Sequence, residues 1–549
     1  MNFLLDYGPG KTGRAPIAAS RGRHVPINFL PLLAPALLLV SALIGFAGPG
    51  LRPRIAPRLA ELAALLAALI AMLSIGLLIA DGPSTSELLG AHGLGLSVRL
   101  DWVSTTMLTL VSFIAWVVAR YSRIYLDGER RQGMFTGWLC MTLASVLLLV
   151  TAGNLVQLVV AWIATSLFLH RLLLFYPDRL QAQRAARKKF ATARLADIAL
   201  IGAAILLTIG YETTDIATIL SAARGGEGHG KATAAAALLA LAAMLKSAQF
   251  PTHGWLTEVM ETPTPVSALL HAGVINAGGF LLIRFADVML LAPGVLAVLV
   301  MVGGFTAIFG GMVMLTQSAV KTSLAWSTVA QMGFMMLQCG LALFPLALLH
   351  IVAHSLYKAH AFLASGGAVE QIASFRRPGG VAIPDAKAVG RAFLVALGIY
   401  LAIGLAFDIG HKSPQAIALG AILIFGVAYL FAQGFADQAP RALTRRIAVR
   451  AVAASLAYFA LQAAISWLLA DTLPATPAPG PLEWALIVLA VLSFGLVAVA
   501  QAMFPLWAYH PAAAGLRVHL SNGLYANAAF DRLLGGWSTR PGPNTRELR

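Results

Sequence analysis

Charged side chains are scarce in this chain of 549 residues. Asp, Glu, Lys and Arg together make up 11% of it, whereas hydrophobic residues make up 59%. A soluble domain contains roughly 25% charged residues, so the composition excludes a water-soluble fold of this length. Apolar runs of about 20 residues, the length that a bilayer requires, recur throughout the sequence. The chain is therefore predicted to be an all-α, polytopic membrane protein.

Cysteine is nearly absent as well. Cys140 and Cys339 lie in apolar runs and neither has a CxxC partner, which excludes a disulfide framework and a cysteine-based metal site. The histidines are scattered over different apolar runs, without the three- or four-ligand grouping that zinc requires. We therefore expect no cofactor, no metal and no catalytic centre in this chain. Any zinc chemistry would belong to a partner.

Acidic residues are rarer than basic ones. The chain has 23 Asp and Glu against 39 Lys and Arg, which gives a net charge of +16. Such an excess could indicate nucleic-acid binding, but the basic residues fall in short loops between apolar runs, where the positive-inside rule explains them. The expected surroundings are a lipid membrane and not a nucleic acid.

The apolar runs predict about fifteen transmembrane helices. A polar stretch, residues 1–25, precedes them and shows no clear cleavage site, so the first run is interpreted as a membrane span and not as a signal peptide. The predicted spans are 28–48, 59–80, 102–120, 133–152, 154–175, 196–211, 232–261 as one broken unit, 265–284, 292–316, 322–341, 344–366, 391–409, 415–434, 449–470 and 483–504.

The distribution of basic residues predicts the orientation. Loops after odd-numbered spans carry most of the Lys and Arg residues and should be cytoplasmic, which places the N-terminus outside and the C-terminus in the cytoplasm. One feature conflicts with this orientation. The N-terminal stretch carries basic residues on the predicted outer side, at Lys11, Arg14, Arg21 and Arg23.

The most informative stretch is KSAQFPTHGWLTEVMETPTPVSALLHAGVINAGGFLLIR, residues 246–284. It places Lys246 at the end of an apolar run, where a charge costs a few kcal/mol unless it lines a hydrated cavity or a proton path. Pro251 then interrupts the helix, and Pro263 and Pro265 interrupt it again. Two alternatives remain for the charged residues: Lys246 could snorkel to the headgroups, and His271 could be a satisfied interior histidine.

A second ionisable cluster lies in LLHIVAHSLYKAHAFL. His350, His354 and Lys358 recur every four residues and therefore project from one face of a helix. Histidine titrates near neutral pH and buried lysine changes its protonation readily, so the pattern favours a proton relay. A metal pair on the two histidines is the alternative, but it would need further ligands, and no acidic residue stands at a matching spacing.

These motifs resemble the proton-translocating subunits of NADH-quinone oxidoreductase (the subunit L/ND5 type) and the Mrp-type cation/proton antiporters. KSAQFP, the Trp255 to Met260 step and PTPVSALLHA carry the resemblance, and SAVKTSLAWSTVAQMGF around Lys321 extends it. The resemblance implies two inverted five-helix repeats within a core at 131–435, flanked by spans at 26–130 and 436–505 and a cytoplasmic tail at 506–549. It also implies a proton or cation path through Lys246, His271, His350, His354, Lys358, Lys321, Glu258 and Glu261. For Lys321, a position at a loop end facing the lipid headgroups is the alternative.

Three departures from that family are visible. Its modulating glutamate on the fifth span falls at Ile163 in this chain, so the usual Glu/Lys pair is absent. Its second broken helix should fall at 391–411, which contains no proline and no terminal lysine, although Gly398 and Gly404 could loosen it. The chain also has no long lateral helix after its fifteenth span.

The stretches WIATSLFLHRLLLFY and HLSNGLYANAAFDRLLGG carry a closer resemblance. Together with these departures, they make the chain similar to the membrane subunits of the Dab-type inorganic carbon transporters. That resemblance implies a subunit of the bacterial inner membrane that conducts H⁺ or Na⁺, and a large cytoplasmic partner that resembles a zinc-dependent β-carbonic anhydrase. Two other functions stay open at this point: a subunit of a respiratory dehydrogenase or Mrp-type antiporter, and an ion-inactive membrane anchor for an enzyme. The mid-span ionisable residues argue against the anchor.

Overall fold

The computed structural model of the chain describes residues 26–48, 52–91, 93–367, 386–434, 441–503, 507 and 510–533. Almost all of these residues are helical. The helices are α1 (Leu33–Ala47), α2 (Ile55–Asp81), α3 (Trp102–Tyr125), α4 (Gln132–Val150), α5 (Leu155–Leu173), α6 (Leu180–Tyr211), α7 (Ile216–Arg224), α8 (His229–Lys246), α9 (Gly254–Glu258), α10 (Thr264–Ala272), α11 (Ala277–Arg284), α12 (Ala286–Leu290), α13 (Pro293–Met314), α14 (Val320–Gly340), α15 (Phe344–Leu363), α16 (Ala386–Ala406), α17 (Pro414–Gly434), α18 (Arg441–Leu468), α19 (Pro481–Ala502), α20 (Pro511–Ser521) and α21 (Ala526–Leu533).

Two small hairpin-like sheets lie between α2 and α3. Ser84–Thr85 pairs with Arg99–Leu100, and Leu89–Ala91 pairs with Leu94–Leu96, both antiparallel. The remaining short elements are 3-10 turns, of which Pro26–Leu32 leads into α1 and Val274–Asn276 separates α10 from α11.

The all-α, polytopic class is confirmed. Within the described ranges, twelve helical stretches are long and apolar enough to cross a membrane. The other three predicted spans also coincide with helices, but each departs from a simple apolar span. The unit at 232–261 divides into α8 and α9, the span at 322–341 is the more polar α14, and of α17 only Pro414–Gly426 counts as a short apolar helix.

The loops sort into two ends of the bundle. Loops after even-numbered predicted spans contact one another at one end, here called the even end. There Asn154 Nδ2 donates to Ser97 Oγ at 2.8 Å, and the Arg224 guanidinium binds Asp287 and the Thr472 carbonyl.

Loops after odd-numbered spans meet at the opposite end, here called the odd end. Arg123 pairs with Glu61 at 2.8 Å, and Lys321 donates to Thr264. The alternation expected from successive membrane crossings is therefore present. Which end faces the cytoplasm stays a prediction from the basic loops.

Small residues allow the helices to approach closely. A side chain at Gly303 of α13 would come within 2.7 Å of the Gly333 carbonyl oxygen of α14, and one at Gly310 within 2.8 Å of the Ala330 nitrogen. Apolar side chains gain little by leaving lipid for protein, so close packing of small residues is a principal source of helix association in membranes.

The first predicted helix break lies where the sequence placed it. α8 ends at Lys246 and α9 begins only at Gly254, with Pro251 in the link between them. Pro263 precedes α10 and Pro265 lies in its first turn, so these two prolines start a helix as well as ending the preceding one. The following span is interrupted once more at Gly273.

The second predicted break, at 391–411, is not inside a helix. α16 runs without interruption from Ala386 to Ala406, across Gly398 and Gly404, and a short 3-10 turn at Ile409–His411 follows it. Glycine lowers helix stability but keeps the backbone donor that proline lacks. The two glycines therefore do not break the helix, and the chain turns only after Ala406.

A buried ion pair joins the eighth span to the third at the even end. Arg284, the last residue of α11, donates from Nη1 to Asp101 Oδ2 at 2.6 Å, and Asp101 also accepts from Ser104 N at 2.8 Å as the N-cap of α3. Both side chains are only 2% exposed. Burial alone would raise the pKa of the Asp101 carboxyl, but the charges of Arg284 and Arg99 outweigh it and hold this pKa well below its usual value.

Replacing Arg284 with Met is expected to destabilise the protein by about 3 kcal/mol or more, because it leaves the Asp101 carboxylate buried without its main partner. The matched control is Arg52→Met, which breaks the exposed Arg52–Asp127 pair, 70% and 59% exposed, and should cost about 0–1 kcal/mol. Thermal unfolding of the detergent-solubilised protein measures both. Equal losses for the two variants would contradict a special role of the buried pair.

Candidate functional site

Lys246 is buried at the end of α8. It is 6% exposed, and its Nζ lies 4.4 Å from the centre of the Trp162 ring of α5. No hydrogen-bond partner of Nζ is found among the described residues. A ring face stabilises an ammonium group only modestly, so the charge needs a further partner nearby.

An acidic residue of α6 supplies that partner. α6 and α8 run antiparallel, because Gly210 lies beside Lys231 and Gly202 beside Leu238. Extending this register brings Lys246 to the level of Arg194 and Asp197. Asp197 is 4% exposed, interacts electrostatically with Lys246, and forms an ion pair with Arg194 at 2.7 Å.

Asp197 provides a carboxylate near Lys246, although the family glutamate position holds Ile163. The family glutamate is missing from α5, and a carboxylate on the neighbouring helix faces the same lysine. Sequence reasoning missed Asp197. The available signal was an aspartate in the apolar run LADIALIG of a predicted span, a position where an ionisable residue is by default functional.

A small cavity lies beside Lys246. Its lining includes Lys189, Thr192 and Ala193 of α6 and Trp255 of α9. Lys189 is 4% exposed and donates from Nζ to the Ser166 carbonyl oxygen at 2.6 Å and to Ser166 Oγ at 3.0 Å. The sequence predicted Lys189 to lie in a basic cytoplasmic loop, whereas the structure buries it beside Lys246.

Polar side chains compensate the backbone at the helix break. Ser247 Oγ donates to the Ile275 carbonyl at 3.0 Å, and Phe250 N donates to Thr306 Oγ1 at 3.2 Å. Asn276, the residue after Ile275, donates from Nδ2 to Ser355 Oγ of α15 at 2.9 Å. Non-helical backbone at membrane depth is tolerated where protein groups satisfy it. These contacts also lead from the Lys246 region toward α15.

The predicted histidine and lysine cluster meets His271 on this side. His354 Nε2 donates to the His271 carbonyl oxygen at 3.2 Å, while His271 Nδ1 and Thr328 Oγ1 lie 3.0 Å apart. The His271 ring also stacks on Phe362 with centroids 4.4 Å apart. The structure therefore brings together two residues that are far apart in the sequence.

The other members of the α15 face bind α14. His350 Nδ1 lies 2.7 Å from Gln338 Oε1, and Lys358 donates to the Leu324 carbonyl at 3.1 Å and to Ser327 Oγ. Lys358 is completely buried. Asn276 and Ser355, which sequence reasoning did not single out, lie between this cluster and the helix break.

Two predicted path residues lie apart from this arrangement. Lys321 is partly exposed at the odd end, where it donates to Thr264 Oγ1 at 3.2 Å. Glu258 accepts from Lys188 Nζ at 2.6 Å. The side chain of Glu261 lies outside the described part of the chain.

Lys188 and Glu258 connect the odd end to the C-terminal helices. Lys188 Nζ also lies 2.6 Å from Asp531 Oδ1 and donates to Asn527 Oδ1 at 2.9 Å. Asn527 contacts Glu258 in turn, and it packs so closely on Gly254 that a side chain at Gly254 would collide with it. This group of residues, Lys188, Glu258, Asn527 and Asp531, is called the odd-end latch below.

A further lysine lies after α16. Lys412 Nζ donates to Gln462 Oε1 of α18 at 2.7 Å and lies 4.9 Å from the centre of the Phe459 ring. The segment in which the second helix break was expected, 391–411, ends one residue before Lys412. Burial lowers the pKa of Lys412, and the Asp408 carboxylate opposes this effect.

The described residues contain no group of three or more His, Cys, Asp or Glu side chains that could hold a metal ion. His350 and His354 are neighbours, with ring centroids 6.0 Å apart. His350 bonds to an amide and His354 to a backbone carbonyl, so the arrangement fits a hydrogen-bonded chain better than a metal pair.

Two family profiles match the chain. "NADH:quinone oxidoreductase/Mrp antiporter, TM" covers residues 152–379, and "NADH-Ubiquinone oxidoreductase (complex I), chain 5 N-terminus" covers residues 89–136. Among solved structures, the Mrp complex from Dietzia sp. DQ12-45-1b superimposes with a TM-score of 0.59 at 23% identity, over 95% of this chain and 61% of that one. That similarity shows the fold.

Curated relatives give a closer match. NADH-ubiquinone oxidoreductase chain 5 of Dugong dugon is 33% identical over 292 residues, 52% of this chain and 48% of its own length. The "probable inorganic carbon transporter subunit DabB" of Hydrogenovibrio crunogenus is 46% identical over 293 residues, 50% of this chain and 57% of its own. DabB2 of Halothiobacillus neapolitanus, with the same description, is 40% identical over 446 residues, 80% of each chain.

The profile of the NADH:quinone oxidoreductase/Mrp antiporter superfamily matches the part of the chain that holds the buried lysine at the helix break and the histidine–lysine helix face. The match to DabB2 over four-fifths of both chains narrows the assignment. The chain belongs to the DabB family of inorganic carbon transporter subunits.

Proposed function

We propose that this chain is the ion-conducting membrane subunit of an inorganic carbon accumulation complex. The observation that carries the proposal is the buried Lys246 ammonium at the end of α8, beside Asp197 and Trp162. An ionisable group at such a position is expensive unless it takes part in ion movement.

Asp197 would control the charge of Lys246. A nearby carboxylate favours the ammonium form of a lysine, and loss of that carboxylate favours the neutral amine. Arg194 competes for the same carboxylate at 2.7 Å. A shift of Asp197 between the two cations would therefore change how firmly Lys246 holds its proton.

The second part of the path would run along α15. Ser247, Asn276 and Ser355 form hydrogen bonds between the break and the cluster of His354, His271 and Lys358. Histidine can accept a proton at one ring nitrogen and release one from the other. This series of hydrogen-bonded side chains therefore fits H⁺ most directly. Na⁺ remains the alternative coupling ion.

The carbon chemistry would take place in a partner. The relatives are named as inorganic carbon transporter subunits, and CO₂ hydration needs an activated hydroxide, normally on a metal such as zinc. We propose a large, cytoplasmic, zinc-dependent partner that resembles carbonic anhydrase and docks at the odd end, which carries the basic loops. An ion gradient across the bacterial inner membrane would drive its reaction in one direction. The N-terminus would then lie outside and the C-terminus in the cytoplasm.

A second candidate function is proton pumping within a respiratory dehydrogenase or Mrp-type antiporter. It is favoured by the Lys246 and His271 arrangement, which resembles that of the wider superfamily. Ile163 disfavours it, because the glutamate that the resemblance assigns to this position in those subunits is missing. Carbon uptake by cells that express this chain with its partner separates the two functions.

Asp197→Asn is expected to lower ion-coupled uptake about tenfold or more, because the lost carboxylate changes the lysine's proton affinity by a factor of that order. Ile163→Glu in the same chain should restore part of the activity by returning a carboxylate to α5. Radiolabelled bicarbonate uptake by cells with matched expression measures both, with Lys246→Ala as the inactive reference. An Asp197→Asn variant with normal uptake would remove this residue from the mechanism.

His354→Gln is expected to lower transport across neutral pH, because glutamine can bond the His271 carbonyl but cannot carry a proton. The partner subunit should still copurify. Val352→Ala, a partly exposed position on the same helix, is the matched control. Loss of the partner from the His354→Gln complex would instead indicate a structural histidine.

The purified chain alone is expected to bind no stoichiometric zinc and to hydrate no CO₂, while the complex with its partner should contain zinc and depend on it. Elemental analysis of the separated subunits and a stopped-flow CO₂ hydration assay test this division. One tightly held zinc per isolated membrane subunit would contradict it.

A further inference from the structure

Lys189 is a second buried lysine at the ion site, and the resemblance to related subunits gave it no role. It lies on the same face of α6 as Asp197, because residues 189, 193 and 197 are spaced four apart. The residue between them, Ala193, is small and lines the cavity that Lys189 and Lys246 share. Lys246 of α8 therefore faces α6 between a carboxylate toward the even end and a lysine toward the odd end.

The neighbouring lysine shows how unusual Lys189 is. Lys188 forms ion pairs with Glu258 and Asp531, both at 2.6 Å. Lys189, although equally buried, forms no ion pair within the described part of the chain and bonds only to the neutral oxygens of Ser166. A buried lysine with neutral partners changes its protonation more readily than one held by carboxylates.

The charged and titratable groups around Lys189 come from three helices. Asp197 and Arg194 lie on its own helix, Lys246 on α8, and His170 on α5. The one carboxylate in this group, Asp197, thus faces three cations, Lys189, Lys246 and Arg194. Burial of that many unneutralised charges is unfavourable, so protonation of Lys189 and protonation of Lys246 oppose each other.

We propose that Lys189 is the odd-end proton station of the path, exchanging protons with Lys246 beside Ala193. In the step toward the odd end, an N–H bond of the Lys246 ammonium breaks and the neutral Lys189 amine takes the proton, directly or through one water molecule. Lys246 becomes neutral and Lys189 becomes an ammonium bound to Ser166. Asp197 then attracts the next proton to Lys246 from the other direction. This inference rests on the proposed function and adds a residue to it.

The test uses the full complex in proteoliposomes with a trapped pH-sensitive dye, and proton flux is driven by a potassium diffusion potential. Lys189→Met should reduce the flux at least about tenfold, since methionine keeps the apolar stem and carries no proton. Lys189→Arg should fail similarly, because an arginine keeps the charge and the Ser166 contacts but does not release its proton. Lys231→Met, an exposed lysine on α8, is the matched control and should leave the flux unchanged.

A structural tie between α6 and α5 predicts a different pattern. Under that explanation Lys189→Arg would restore the flux that Lys189→Met loses, and Ser166→Ala would be as damaging as Lys189→Met. Either result overturns the proposal, as does normal flux in Lys189→Met. If the Lys189→Met variant does not insert into the membrane, the proton flux of the Lys189→Arg variant alone decides the role of Lys189.

The same assay separates this inference from the proposed function. If Lys246→Ala abolishes flux and Lys189→Met does not, the path through Lys246 stands and Lys189 is excluded from it. If the wild-type complex carries protons but takes up no carbon, the carbon assignment fails and the effect of Lys189→Met still decides the role of this lysine.

Discussion

The cost of burying the Lys246 ammonium constrains much of this structure. A cation inside the bilayer must be compensated by charge, by polar groups or by loss of its proton. Here the compensation comes from three helices: the Trp162 ring of α5, the Asp197 carboxylate of α6, and the end of α8 itself. A helix C-terminus carries partial negative charge and favours a cation. The break after Lys246 thus serves the lysine directly, because it places that terminus at membrane depth.

The backbone groups at the helix breaks need hydrogen-bond partners, and nearby polar side chains provide them. Thr306 of α13 binds the Phe250 amide, and Ser247 binds a carbonyl of the interrupted eighth span. Asn276 and Ser355 then continue the polar contacts to α15. The groups that make the irregular backbone tolerable are therefore the same groups that connect the two ionisable clusters. The proposed path therefore uses hydrogen bonds that the fold also needs.

Much of the architecture could be predicted from the sequence. Apolar runs of membrane-spanning length located the helices, and the proline after Lys246 located the break, because both signals are local. The spacing of His350, His354 and Lys358 also predicted one helix face correctly. What no local pattern could show was which distant residues meet. Asp197 left a local signal in an apolar run, but its position facing Lys246, and that of Lys189, depend on the register between α6 and α8. The contact between Glu258 and Lys188 could not be predicted for the same reason, because the two residues lie 70 positions apart.

The odd-end latch has a mechanical consequence. Asn527 and Asp531 of α21 hold Lys188, which is the residue next to Lys189, and Asn527 presses on Gly254 in the first turn after the helix break. A load on the C-terminal helices would therefore reach both sides of the lysine pair, as well as α14 and the loop after α13, which these helices also contact. A protein that binds these helices could shift the groups around Lys189 and Lys246 without touching a residue inside the membrane.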